Sequence, residues 1–116
     1  MDQRVSLITL GVADLDRSRR FYEDGLGWKV TQMVEGQVVF YQLSNGLALG
    51  LFGREDLIKD GQFDDDTGAR FAGLTIAYNT RDEAEVDAVM AEAKKAGAVI
   101  QKPAEKVFWG GYSGYF

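Results

Sequence analysis

The sequence predicts a single α+β domain built from two similar halves. Its 116 residues give the length of one ordinary domain, and 46% hydrophobic with 27% charged residues is typical of a chain that folds around one core. In each half an apolar run is followed by a helix-capping residue, a helical pattern, a glycine and another apolar run. The two leading runs are residues 7–12 and 73–78, and this repetition indicates a duplicated unit.

In the first half, the β-branched and apolar residues 5–12 predict a buried strand. Asp14 is placed to cap a helix that carries Phe21 and Tyr22 on its apolar side and ends at Gly25. Residues 28–34 alternate between apolar and polar, and residues 38–43 and 47–52 are apolar runs on either side of Asn45-Gly46. Because Asn-Gly between two such runs is a strong hairpin signal, three strands are expected to follow the helix as a meander.

The second half begins after a stretch, residues 54–69, that has few apolar positions and contains the acidic run 64–66. We interpret this stretch as a long connector, with one helical turn in it as an option, and its acidic run as a solvated loop. Residues 71–78 then predict a strand, and 81–96 a helix that ends at Gly97. After Gly97, residues 98–101 form a short run that Pro103 is expected to break, and residues 107–109 lead through a Gly110-Gly111 kink into residues 112–116.

Cysteine and histidine are both absent from the sequence. Disulfides, thiolate or imidazole metal sites, cysteine nucleophiles and Ser-His-Asp triads are therefore excluded within this chain. The net charge of −5 argues against a nucleic-acid partner, which calls for a basic face. No run is long enough to span a membrane and the N-terminus lacks the layout of a secretory signal, so a cytoplasmic protein without membrane partners is expected.

The opening of the chain carries a family likeness. Residues 10–18 (LGVADLDRS), 20–22 (RFY) and 25–28 (GLGW) resemble the opening of glyoxalase, bleomycin-resistance and extradiol-dioxygenase proteins, the vicinal-oxygen-chelate superfamily, and residues 109–116 are similar to its closing segment. The resemblance implies two β-α-β-β-β modules, at about 4–53 and 70–116 with the connector 54–69 between them. They would form a cupped mixed sheet with helices on its outer face, a ligand in the concavity, and a homodimer. The second module is expected to be incomplete at its C-terminal end.

Metal-dependent members of that superfamily hold a divalent ion through side chains on their first and fourth strands. Carried over by the resemblance, these positions fall on Leu7, near Gly50 and on Gly73, and a fourth position would lie beyond Phe116. None of the three residues can ligate a metal, and one further carboxylate could not hold an ion alone. We therefore expect no metal and no cofactor, with a divalent metal as the alternative.

Strand alternation selects candidates for the ligand cavity, although packing beneath a partner strand would explain the small residues equally well. Leu7 and Thr9 share one face of their strand with the equivalent Gly73 and Thr75, while the opposite face, with Leu74 and Ile76 in the second half, should lie under the helices. A two-residue turn at 45–46 would add Tyr41, Gly50 and Phe52, whereas a one-residue slip would replace them by Phe40 and Gln42. Trp109 and Tyr112 flank the Gly-Gly kink and are predicted to line the pocket, or else to fill an interface or the core.

These observations favour a metal-free protein that binds a small apolar or aromatic ligand, and they assign no catalytic residue. The rival hypothesis is a glyoxalase- or dioxygenase-like lyase or oxygenase whose metal site is completed by residues not in this sequence. A metal-independent isomerase that uses Asp, Glu or Tyr, and a structural or regulatory protein without a small ligand, are further alternatives.

Overall fold

The computed structural model describes residues 1–63 and 71–116. Within them the first half holds three α-helical or π-helical segments and four strands, and the second half holds one helix and three strands. In chain order these are β1 Leu7–Val12, α1 Leu15–Arg20 with a π-helical continuation Phe21–Gly25, β2 Gln32–Val34, β3 Val38–Gln42, β4 Ala48–Gly53, α2 Arg54–Gly61, β5 Leu74–Ala77, α3 Glu83–Lys95, β6 Lys102–Lys106 and β7 Tyr112–Tyr115. No helix in these two stretches is both long and apolar enough to cross a bilayer.

The main sheet has five strands in the order β2-β3-β4-β1-β5. β1 lies parallel to β4 and antiparallel to β5, so the first strand of one half pairs directly with the first strand of the other. β6 and β7 form a separate antiparallel hairpin. The predicted α+β class with a mixed sheet is confirmed.

The helix α1 packs against one face of the sheet. Asp14 caps it, because its Oδ1 accepts a hydrogen bond from the Arg17 N–H at 3.0 Å. The π-helical turn and the residues after it then bring Tyr22 and Trp28 onto the sheet. The core on this face consists of the buried Val39, Tyr41 and Leu51 with partly buried neighbours, namely Leu10, Val12, Leu15, Tyr22, Trp28, Val30 and Leu49.

The helical part of the stretch 54–69 is longer than the one turn considered from the sequence, because Arg54–Gly61 forms the two-turn helix α2. One apolar side chain anchors it: Leu57 is buried and packs with Val38 and Phe52 on the sheet face opposite α1. The helix ends at Gln62, whose φ of 56° is left-handed. The acidic run 64–66 lies outside the described residues.

The register predicted for the β3–β4 hairpin is wrong by one residue. Asn45 and Gly46 do form the turn, but the loop has three residues, because the Leu43 N–H donates to the Leu47 carbonyl at 2.8 Å. Gly46 takes a φ of 83°, as three-residue hairpin loops require. Phe40 consequently pairs with Gly50, and the Tyr41 side chain lies on the α1 face of the sheet.

The prediction that Leu74 and Ile76 lie under a helix is also wrong. They are 46% and 65% exposed, because α3 packs against the β6–β7 hairpin and leaves this face of β5 uncovered. The packing is close: a Cβ on Gly114 of β7 would lie 2.7 Å from the Met90 Cε of α3. The face of β5 that carries Thr75 and Ala77 lies on the side of the sheet opposite to Leu74 and Ile76.

Candidate ligand cavity

A cavity of about 590 Å³ lies against the sheet face opposite α1, and residues from both halves line it. The first half supplies side chains from β1, β3, β4 and α2, and the second half supplies them from β5, α3 and β7. Central lining residues are Leu7, Thr9, Phe40, Phe52, Leu57, Asp60, Thr75, Ala77, Val86, Val89, Met90, Trp109, Tyr112, Ser113 and Tyr115. The site is therefore built only when the two halves are assembled.

The cavity floor follows from strand pairing. Thr9 of β1 lies between Gly50 of the parallel strand β4 and Thr75 of the antiparallel strand β5. Gly50 leaves room for a large neighbour, since a Cβ there would lie 3.1 Å from Thr9 Oγ1 and 3.2 Å from Phe40 Cε1. Phe40 thus lies over the glycine and presents its ring to the cavity.

Two aromatic residues of the Gly-Gly kink reach the cavity as well. Trp109 is 38% exposed, and its ring lies against Gly111, where it fills the space that a Cβ would need. Tyr112 donates a hydrogen bond from its hydroxyl to Asp87 Oδ1 on α3 at 2.7 Å, and this bond raises the pKa of the Tyr112 hydroxyl. Tyr112 is thereby tied to the helix while one side of its ring faces the cavity.

A carboxylate and a phenol form the most polar part of the lining. The Tyr115 hydroxyl donates to Asp60 Oδ2 at 2.6 Å, which connects β7 to α2. Burial, together with this hydrogen bond to a carboxylate, raises the pKa of Tyr115 far above its usual range, so the phenol stays neutral and acts as a donor. Ser113, on the same face of β7, has a buried Oγ without a hydrogen-bond partner.

The profile of the Glyoxalase/Bleomycin resistance protein/Dioxygenase superfamily matches residues 4–116, nearly the full chain. The chain belongs to this superfamily. A comparison with curated proteins gave no match.

Solved structures of other proteins agree with the superfamily fold. The NAD-dependent benzaldehyde dehydrogenase from Legionella pneumophila has 17% identity and a TM-score of 0.68, with 91% of this chain and 82% of that chain covered. A glyoxalase/bleomycin resistance protein/dioxygenase superfamily member from Vibrio splendidus 12B01 has 19% identity and a TM-score of 0.56, with coverages of 88% and 74%. At these identities the likeness concerns the fold alone. A glyoxalase-related enzyme from Fulvimarina pelagi has 34% identity and a TM-score of 0.49, covering 98% and 79%.

The described residues do not fit the divalent ion that some superfamily members hold. Leu7 offers only hydrocarbon at the first-strand position, and Gly50 and Gly73 offer no side chain. Leu7 pairs with Ala77, whereas Gly73 accepts a hydrogen bond from the Gly11 N–H, so the two first-strand positions lie at opposite ends of the β1–β5 pair. Within residues 1–63 and 71–116, no group of three or more His, Cys, Asp or Glu could hold a metal ion.

The cavity contains most of the residues that the sequence predicted for this superfamily's ligand site, and three predicted residues lie elsewhere. Its lining includes Leu7, Thr9, Phe52, Thr75, Trp109 and Tyr112. Gly50 lies beneath Phe40, and Gly73 has a φ of 90° beside Arg54 Nη1, outside the lining. Placing Tyr41 in the cavity is wrong, because the corrected register turns it to the α1 face.

Tyr41 instead belongs to a polar cluster on the face of the sheet that packs against α1. Its hydroxyl donates to Glu23 Oε2 at 3.0 Å, and Arg19 Nε donates to the same oxygen at 2.7 Å. Burial, and secondarily the hydrogen bond to Glu23, raises the pKa of Tyr41 to about 12. The hydrogen bond from Arg19, opposed by burial and assisted by Tyr41, lowers the pKa of Glu23. This cluster lies away from the cavity, on the α1 face of the sheet.

Sequence reasoning did not select several residues that line the cavity. The sequence selects Phe40 only under the alternative in which the β3–β4 register slips by one residue, and that alternative is the observed register. Asp60 and Leu57 come from α2, a segment whose sequence shows no helical apolar pattern. Tyr115 could have been found by alternation from Ser113 along the closing strand, because residues two apart share a face.

Proposed function

We propose that this superfamily member is a metal-free binding protein that holds a small apolar or aromatic molecule in the cavity. The observation that carries the proposal is the cavity itself, at about 590 Å³ and lined mainly by apolar and aromatic side chains. Pockets for small molecules commonly have a volume of roughly 300–1,000 Å³, with an apolar lining and a few polar groups that fix orientation. Phe40, Phe52 and Trp109 offer flat surfaces, and the hydroxyls of Thr9 and Thr75 offer such polar groups.

A cavity-filling substitution tests whether this space binds ligands. Thr75→Phe places a ring on the floor, whereas Leu74→Phe introduces the same side chain on the opposite face of the same strand, at a 46% exposed position outside the cavity lining. The three proteins are screened by thermal shift against planar aromatic and aliphatic compounds, because a ligand that binds only the folded state raises Tm. We expect aromatic compounds to raise Tm for the parent and Leu74→Phe, and the shift to vanish for Thr75→Phe. Equal shifts in all three proteins would refute the proposed site.

Metal analysis distinguishes the binding-only proposal from its rival. The rival function is a lyase or oxygenase whose metal site is completed by residues not in this sequence. The binding-only proposal expects the purified protein to contain far less than one Mn, Fe, Ni or Zn per chain, and its Tm to be unchanged by a chelator. Stoichiometric metal, or a Tm that falls on chelation, would favour the rival.

The proposal includes a homodimer, with exposed apolar residues such as Leu74 and Ile76 on the edge strand β5 as candidate contacts. Sedimentation velocity over a concentration series measures the assembly state directly, and a monomer throughout the series would contradict it. A cytoplasmic location and the absence of nucleic-acid and membrane partners remain predictions from sequence.

A further inference from the structure

Among the described side chains that line the cavity, Arg4 and Asp60 carry a formal charge. Arg4 is fully engaged: its guanidinium donates to Ser6 Oγ at 2.8 Å and to the Asn79 carbonyl at 2.9 Å, and it lies 4.2 Å from the centre of the Tyr78 ring. These contacts leave Arg4 little capacity to bind an anion.

Arg4 Nε also lies 3.7 Å from Asp2 Oδ2, whereas no described residue forms an ion pair with the Asp60 carboxylate. Asp60 Oδ2 accepts a hydrogen bond from Tyr115 at 2.6 Å. The partner is a neutral phenol, so this hydrogen bond does not cancel the charge of the carboxylate. Lys102 approaches Tyr115 from 5.8 Å above the ring, but its own ammonium pairs with Glu105 Oε1 at 3.8 Å.

The surroundings of Asp60 favour a positively charged ligand group. The Tyr115, Phe40 and Phe52 rings share the cavity lining with it, and aromatic faces attract cations. Ser113 Oγ, on the same face of β7 as Tyr115, is a buried polar atom without a partner that an N–H donor could satisfy. The net charge of −5 attracts cations and repels anions at longer range.

We propose that the ligand is an organic cation with a flat apolar body, whose ammonium group pairs with the Asp60 carboxylate while its body lies against Phe40 and Phe52. This inference rests on the proposed function and specifies the chemical class of the ligand. A charge-assisted hydrogen bond in a partly desolvated site is stronger than a neutral one, so the cationic head should contribute about tenfold in affinity.

Three matched probes test the inference: 2-(1-naphthyl)ethylamine, 2-(1-naphthyl)ethanol and 1-naphthylacetate, which share a flat body and differ in head-group charge. Their binding is measured by isothermal titration calorimetry at pH 7 and low salt. For the parent protein we expect the amine to bind about tenfold more tightly than the alcohol and the acetate to bind most weakly.

Substitutions then assign the preference to one carboxylate. Asp60→Asn removes the charge with little change in shape and should reduce amine binding to the level of the alcohol. Glu55→Gln removes a charge from an exposed position of the same helix, outside the cavity lining, and should leave the ratio unchanged. Tyr115→Phe keeps the Asp60 charge and should retain the preference, which provides a second variant if Asp60→Asn fails to fold.

The outcomes separate this inference from the function on which it rests. Equal affinities for amine and alcohol in the parent, or an unchanged ratio in Asp60→Asn, would overturn the cation proposal. If Thr75→Phe still abolishes binding in that case, the cavity remains the site and only the ligand class is wrong. If none of the three probes binds the parent protein, the inference and the proposed site are both contradicted.

Discussion

Replacing Tyr41 by Phe probes the polar cluster on the α1 face and the strand register at the same time. The ring is 1% exposed and the hydroxyl donates to Glu23 at 3.0 Å. Phe keeps the ring and removes only this donor, so the change isolates one hydrogen bond to a charged acceptor. Such a bond contributes about 2 kcal/mol, and for a chain of this length that loss lowers Tm by about 8 °C.

Urea and thermal unfolding followed by tryptophan fluorescence measure the effect, with Trp28 close by because its ring centre lies 5.9 Å from that of Tyr41. Tyr112→Phe is the matched control, since it removes an exposed hydroxyl bonded to Asp87 and should change stability by at most about 0.5 kcal/mol. A double-mutant cycle with Glu23→Gln should give a coupling energy of about 1 kcal/mol.

The register adds a functional expectation. Tyr41→Phe should leave affinity for a cavity ligand unchanged, whereas Phe40→Ala should weaken it. A Tyr41→Phe protein with parental stability and reduced ligand affinity would refute the reasoning, because it would place the hydroxyl in the cavity, as the two-residue loop requires.

Three further substitutions probe the core, a helix cap and a carboxylate. Leu51 is 0% exposed, and Leu51→Ala should cost about 2–5 kcal/mol in urea unfolding; a cost below about 1 kcal/mol would contradict its place in the core. Asp82 accepts the Glu85 N–H at 2.9 Å as the cap of α3, and Asp82→Ala should cost about 1 kcal/mol with a loss of helical circular dichroism. The pKa of Glu23 is lowered from its ordinary value of 4.5, so ionised Glu23 stabilises the fold above that pH, and this stabilisation is lost as the pH falls through the pKa of the folded state. Glu23→Gln should therefore flatten the acidic part of the curve of unfolding free energy against pH. An unchanged slope would refute this expectation.

Patterns within single elements were sufficient to predict much of the fold. The alternation of residues 7–12 gave β1 the correct faces, and Asp14 caps α1 as expected. The motif at residues 10–28 indicated the superfamily before any pairing was known. These features depend on neighbours along the chain, which the sequence displays directly.

The errors concern relations between elements. Asn45-Gly46 suits loops of two or three residues, and the difference of one residue decided whether Tyr41 or Phe40 faces the cavity. The sequence does not predict α2, because Leu57 is its one buried apolar side chain and a single such position produces no helical apolar pattern. Leu74 and Ile76 have the hydrophobicity of core residues, and their exposure depends on where α3 packs.

The central position of β1 also has consequences for how the chain acquires its structure during synthesis. Its parallel partner β4 is complete once residue 53 has been made, whereas its antiparallel partner β5 ends at residue 77. Four strands of the sheet can therefore pair while the second half is still being translated, and until then one side of β1 has unsatisfied backbone groups. The edge that later receives β5 is an open strand edge in the nascent chain, which favours aggregation, and pairing with β5 also brings Thr75 to the floor of the cavity.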